Sequence, residues 1–209
     1  MEFFQSQDSE GSSLGSHIVF FDIEWTSWEG ALANNFSESW QHREIIQIGA
    51  VRLDPIDSFC EVAAFNQYVV PQVNSVLSDY IVELTGITQS KIELDGIPFN
   101  KALNLFADFT GNWCLPTYSW GHDWTVIKES CELYKVPIPD GIYNNMHNLY
   151  QNFLSAGLDV SGVTSGKLHS HFGLSLSSRA HNALHDVRSM AAVVAHLISA
   201  DNHQFEKLL

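Results

Sequence analysis

The most ordered pattern in the chain is the apolar run Ile18-Val19-Phe20-Phe21, which gives way to the alternation Asp22-Ile23-Glu24. Such a pattern predicts a strand over His17 to Glu24 whose two acids project from one face. Two more strands are expected, Arg43 to Leu53 and Glu61 to Val70, with breaks at Gly30 to Ser39 and Pro55 to Ser58. After Pro71 the period becomes helical. A short helix is predicted over Ser78 to Leu84 and a longer one over Pro98 to Trp113, opened by its proline and striped by Ala102, Leu103, Leu105, Phe106 and Phe109.

Thr117 to Trp120 reads as a fourth strand, Thr125 to Tyr134 as a helix, Gly141 to Met146 as a fifth strand and Leu149 to Ala156 as a helix. Residues 162 to 166 read as loop, with a short helix after them through Phe172. Asn182 to Ala200 carries the apolar stripe Val187, Met190, Ala191, Val194 and Leu197 and reads as a long helix. Three strands followed by alternating helices and strands predict an α/β sandwich on a mixed sheet.

At 209 residues this is one domain by length, and 45% hydrophobic content is that of a globular chain. Its longest apolar stretches, such as Met190 to Ala195, are too short to cross a bilayer, so no membrane span is expected. Residues 1–16 end in a Gly/Ser-rich run and carry acids where a secretory signal would carry Lys or Arg, so they read as a flexible leader or an expression remnant. Cys60, Cys114 and Cys131 are odd in number and lack metal-ligand spacing, which suits a reducing cytoplasm. The net charge of −14 disfavours a long basic nucleic-acid groove, because that mode of binding depends on Lys and Arg.

Asp22 and Glu24 on one strand face can converge to about 4 Å, where like charges repel by about 4 kcal/mol at an effective dielectric near 20. A hard divalent cation reverses that sign, while an edge strand with two solvated acids is the alternative. A second cluster is His181-Asn182-Ala183-Leu184-His185-Asp186. With Asn182 as N-cap, Asp186 would be fixed on the helix and His181 would sit on the preceding loop, an arrangement suited to a metal carboxylate beside a general base. The alternatives are an acid complementing the helix dipole, or a zinc site using His181 and His185. Asp123, at a junction of strand and helix, is a third candidate with helix capping as its alternative; Asp108 and Asp140 are weaker substitutes.

Together these segments resemble the DEDDh 3'-to-5' exonuclease superfamily: D-x-E in Asp22 and Glu24, a helix-starting Asp in Asp123, and H-x4-D in His181 and Asp186. Glu44 to Val51 and the L-T-G-I-T of Leu84 to Thr88 also resemble the family, and Glu24 to Gly30 resembles its Eri-like branch. The resemblance implies an RNase H-like fold, a mixed five-stranded sheet flanked by helices, over residues 17–209. It implies that Asp22, Glu24, Asp123 and Asp186 hold two Mg2+ or Mn2+ ions, with His181 as general base. The substrate implied is the 3' end of single-stranded RNA or DNA, or a short oligonucleotide, and Thr26, Trp28 and Ile87 would line the terminal-nucleotide pocket. Lys128, Lys167 and Arg179 are candidates for phosphate contact. A phosphodiesterase for very short oligonucleotides and a catalytically inactive binding module remain alternatives.

Overall fold

The computed structural model describes residues 17–176, 181–200 and 208–209. The leader expected at residues 1–16, and Arg179, lie outside them. Strands β1 (Ile18–Trp25), β2 (Ile45–Asp54) and β3 (Cys60–Tyr68) form an antiparallel meander, and β4 (Thr117–Ser119) and β5 (Met146–Asn148) extend it in parallel on the other side of β1. The sheet order is β3-β2-β1-β4-β5, so the strand bearing Asp22 and Glu24 lies in the middle.

Alternation along β1 sends its side chains to two cores. Val19, Phe21 and Ile23 pack with Phe99, Ala102, Leu103 and Phe106 of α3 (Phe99–Phe109) and with α4 (Asp123–Tyr134). Ile18 and Phe20 face Val187, Met190 and Val194 of α8 (Ala183–Ala200) and Leu149 and Phe153 of α6 (Leu149–Ser155). Helices α1 (Asp79–Thr85) and α2 (Gln89–Asp95) close a smaller cluster around Ile46, Ile81, Ile87 and Ile92.

The structure departs from the local predictions at four points. The fifth strand expected over Gly141 to Met146 is instead helix α5 (Gly141–Asn144) followed by β5. Gly141 presses against Trp113, whose Cβ would lie 2.1 Å from any Cβ added there, so the segment turns before it can join the sheet. α3 stops at Phe109 because Gly111, Asn112 and Trp113 all take positive φ, of 64°, 54° and 63°. Helix α2 was not foreseen; it has a single buried residue, Ile92, and so no apolar stripe, and its start is set by Thr88, whose side chain caps Lys91 N–H. Within the loop predicted at 162 to 166, residues 165 and 166 already belong to a 3-10 turn, Ser165–Lys167, which leads into α7 (Leu168–His171).

Candidate active site

Asp22 and Glu24 leave β1 on the face that α8 covers, and both are buried. Opposite Asp22 on β2 is Gly49, and a Cβ there would lie 2.3 Å from the backbone nitrogen of Leu184. Only a residue without a side chain lets α8 begin so close to the sheet. Gln47, two residues away and fully buried, fixes the same point, since its Oε1 accepts the Ala183 N–H at 3.1 Å while its Nε2 donates to Asn66 Oδ1 at 2.8 Å. Asn182 caps the helix, accepting His185 N–H on Oδ1 and Asp186 N–H on its carbonyl. Asp186 therefore stands on a helix anchored to β2, directed at the β1 acids. His181 precedes the cap in a left-handed conformation, φ 62°, and its N–H donates to Asp186 Oδ2 at 3.2 Å.

The 3-10 turn closes the site from the other side. Ser165 Oγ donates to Asp22 Oδ1 at 3.1 Å, and a Cβ on Gly166 would meet Asp186 Oδ1 at 2.4 Å. The loop before it is held by Trp120, whose Nε1 donates to Val163 O at 2.8 Å. Asp123 opens α4 directly after β4, and the register that pairs Phe20 with Tyr118 brings that junction alongside Asp22.

One ligand atom from each of Glu24, His181 and Asp186 lies within 4.8 Å of the other two. Asp22 and Asp123 join them electrostatically. Burial, then the charges of Asp123, Glu24 and Asp186, holds Asp22 well above the usual carboxylate range. Burial, then Asp186 and Asp123, pushes Glu24 up to about 8. Burial lifts Asp123 and Asp186 to about 7 each, although hydrogen bonds pull both back and the Arg43 guanidinium also lowers Asp123. Without cations the cluster thus retains protons near neutrality.

Two oxygens of this cluster, Asp123 Oδ2 and Asp186 Oδ1, are buried with no hydrogen-bond partner among the described residues. Buried acceptors left this way cost about 1–3 kcal/mol each, and an oxygen-rich, proton-retaining cluster is a donor set that fits hard divalent cations. The zinc arrangement does not form, because the His185 ring packs 5.7 Å from His169 while His181 faces Glu24 and Asp186.

These groups sit at one end of a cavity of about 520 Å3. Its other walls are largely apolar: Tyr80, Ile81 and Leu84 from α1, Leu32 and Phe36 from the loop after β1, and Trp120 with Tyr150 across the opening. Thr26, Trp28 and Ile87 are not among the described residues lining it. Thr26 Oγ1 donates to His42 O at 2.7 Å and accepts Glu44 N–H at 3.0 Å, Trp28 meets the Trp40 ring edge-on at 4.8 Å, and Ile87 is buried in the α1–α2 cluster. Lys128 lies over the rings of Trp124 and Tyr143, and Lys167 is exposed.

Sequence reasoning missed Ser165, Gly166, Gln47 and the role of Gly49. Gly49 lay inside the segment resembling the family's second strand, so register against β1 was the one available signal; Ser165 carries none, since it reaches Asp22 from 143 positions away.

A family model described as Exonuclease, of the RNase T type, matches residues 19–194. Among curated proteins, ERI1 exoribonuclease 2 of Xenopus laevis is 26% identical over 87% of this chain, and the 3'-5' exonuclease Snipper of Drosophila melanogaster is 23% identical over 88%. The matched stretch is 28% of the frog protein's length and 69% of the fly protein's. Among solved structures, the nuclease domain of 3'hExo, a DEDDh family member bound to rAMP, superposes with a TM-score of 0.73 at 21% identity, covering 89% of this chain and 93% of that one. That fold, a family match spanning the sheet and α8, and the convergence of Asp22, Glu24, Asp123 and Asp186 agree on one assignment: the chain belongs to the exonuclease family, on the Eri-like branch of the DEDDh 3'-to-5' exonucleases.

Proposed function

We propose that residues 17–209 act as one metal-dependent exonuclease domain that hydrolyses the 3'-terminal phosphodiester of single-stranded RNA or DNA and releases nucleoside 5'-monophosphates. The observation that carries this reading is the buried convergence of four carboxylates, two of them with oxygens that have no hydrogen-bond partner among the described residues, at the end of an apolar-walled cavity of nucleotide size. Family membership implies divalent-metal dependence. We assign Asp22, Glu24, Asp123 and Asp186 as ligands of two Mg2+ or Mn2+ ions, which when bound neutralise the carboxylates and the charge developing on the phosphate and acidify water.

His181 takes the proton of the attacking water from the loop just before α8, beside Asp186, which is fixed on the helix itself. The water oxygen bonds to phosphorus, the bond from phosphorus to the 3' oxygen breaks, and that oxygen is protonated as the shortened chain's new terminus. Trp120, Tyr150, Tyr80 and Leu84 seat the terminal nucleoside and exclude bulk water. Thr26, Trp28 and Ile87 support this pocket through the β1 end and the α1–α2 cluster. The exoribonuclease name of the Xenopus relative favours RNA. The acidic surface favours contacts limited to the last few nucleotides, which keeps very short oligonucleotides as a second substrate class. Free Cys60, Cys114 and Cys131 suit a cytoplasmic location, and among the described residues no helix is long and apolar enough to cross a membrane.

The test is incubation of the protein and its Asp186→Ala variant with 5'-labelled single-stranded RNA, single-stranded DNA and a dinucleotide, in Mg2+, Mn2+ or EDTA. A metal-dependent ladder shortening from the 3' end, absent in the variant, is expected. Internal cleavage, cleavage in EDTA, or no cleavage of any substrate would overturn the reading.

A further inference from the structure

Glu44, immediately before β2, is fully buried, and among the described residues no Lys or Arg pairs with it. Its oxygens are filled by other donors. Oε2 accepts Gln72 N–H at 2.7 Å, Val73 N–H at 2.9 Å and the Tyr134 hydroxyl, and Oε1 accepts Asn74 N–H. Burial, then the bond to Glu44 and its charge, holds the Tyr134 hydroxyl above its ordinary range, so it stays a donor. An apolar side chain would anchor a loop without the cost of burying a polar group; what four fixed donors around one acceptor add is direction. The main chain of Glu44 makes a separate attachment. Its carbonyl accepts Thr26 N–H at 2.8 Å and its N–H donates to Thr26 Oγ1 at 3.0 Å, just past the end of β1 and two residues beyond Glu24. Residues 72–74 lead into α1 along a path pinned twice more, by Leu77 N–H on Gln89 Oε1 at 2.9 Å and by Ser78 Oγ on Ser27 O. From there α1 supplies Tyr80, Ile81 and Leu84 to the catalytic cavity, while Tyr134 is the last residue of α4, whose first is Asp123.

We propose that Glu44 is a positioning residue that sets the nucleoside pocket independently of the metal site: its side chain holds the α1 wall at a fixed distance from β1, and its main chain holds the end of β1 itself. This rests on the exonuclease reading above. The two attachments are separable. Replacing the side chain leaves both main-chain bonds to Thr26 in place, so Glu24 keeps its strand and the acids keep their geometry. The loop at 72–74 loses its acceptor, and α1 loses one of the anchors that aim Tyr80 and Leu84 into the cavity. Nucleoside binding therefore falls while the chemical step survives. Charge alone predicts the reverse, because removing a negative group from a chain of net charge −14 favours an anionic substrate. The sign of the change thus separates positioning from electrostatics.

The test uses the full chain in Mn2+. Glu44→Gln keeps the shape of the side chain but sets an NH2 group against N–H donors. It is expected to raise KM for 5'-labelled single-stranded RNA and Kd for adenosine 5'-monophosphate about tenfold, the scale of one lost base stack, with kcat and Mn2+ affinity in titration calorimetry within about twofold of wild type. Glu44→Asp, which keeps both acceptor oxygens, should recover most of the loss. Tyr134→Phe removes one donor of the four and should raise KM about threefold, the scale of one hydrogen bond, so it carries the test if Glu44→Gln does not fold. A fall of kcat and Mn2+ affinity in step with the rise in KM, or an unchanged KM in the folded variants, would overturn the positioning role and leave the exonuclease reading standing. A wild-type protein that cleaves no strand would overturn that reading and this assignment with it.

Discussion

Gly49→Ala is the substitution that most sharply separates the fold from the site it supports. The added methyl would sit 2.3 Å from Leu184 N and 2.4 Å from Ala183 C, both backbone atoms at the start of α8. Ordinary contact begins near 3.4 Å, so the helix must retreat from β2 by about 1.1 Å or β2 must bend by as much. Overpacking of this kind costs about 1–3 kcal/mol, which a chain of 209 residues tolerates. Asp186 rides on the displaced turn, and a misplacement of about 1 Å at a reacting centre can cost about a hundredfold in rate. The variant should therefore fold, melt several degrees lower and lose about two orders of magnitude in kcat/KM on a 5'-labelled strand. Gly49→Ala with wild-type turnover would show that the closeness of α8 to β2 does not set the geometry of Asp186.

Asp186→Asn removes one charge from the cluster, so the metal-free protein should melt at a higher temperature than wild type at pH 8 while hydrolysis is lost; a lower melting temperature would contradict the like-charge account. Ser165→Ala should weaken Mn2+ binding in titration calorimetry by about 10–100-fold, as removal of a ligand's hydrogen-bond partner commonly does, and unchanged affinity would remove Ser165 from that role. The metal-free protein should also lose stability as pH rises. The native carboxylates hold their protons up to about 7 for Asp123 and Asp186 and about 8 for Glu24, against ordinary values of 3.8 and 4.5. The native state thus binds more protons than the unfolded chain between about pH 4 and 8, so this contribution is fully present below about pH 4 and is lost as pH climbs through 7 to 8. The gap between melting temperatures in Mn2+ and in EDTA should accordingly widen from pH 6 to pH 8, and a gap that narrows would refute the assignment.

The sheet was legible wherever one strand carried enough residues to show a period. β1 announced itself through Ile18 to Phe21, and its alternation already placed Asp22 and Glu24 on one face; α8 did the same through its stripe, with Asn182 marking its start. β5 has three half-buried residues and α2 has one buried residue, so neither has a period to detect. The acids were visible because their chemistry is local to short motifs. Their supports were not, because Gly166 against Asp186 and Ser165 against Asp22 are contacts made by the closed fold between distant segments. Thr26 and Ile87 fell near the site in sequence, yet burial and backbone hydrogen bonds direct them into its supporting structure.

The central claim is that the four carboxylates and His181 direct water onto the phosphorus of the last phosphodiester, with the 3' oxygen leaving. Digestion of single-stranded RNA in 18O-labelled water with Mn2+, followed by mass spectrometry, tests it directly. The account predicts one heavy oxygen in the phosphate of each released nucleoside 5'-monophosphate and none in the shortened chain, with no release from Asp186→Asn. Label in a phosphate left on the 3' end of the shortened chain, or release of nucleoside 3'-monophosphates, would contradict it.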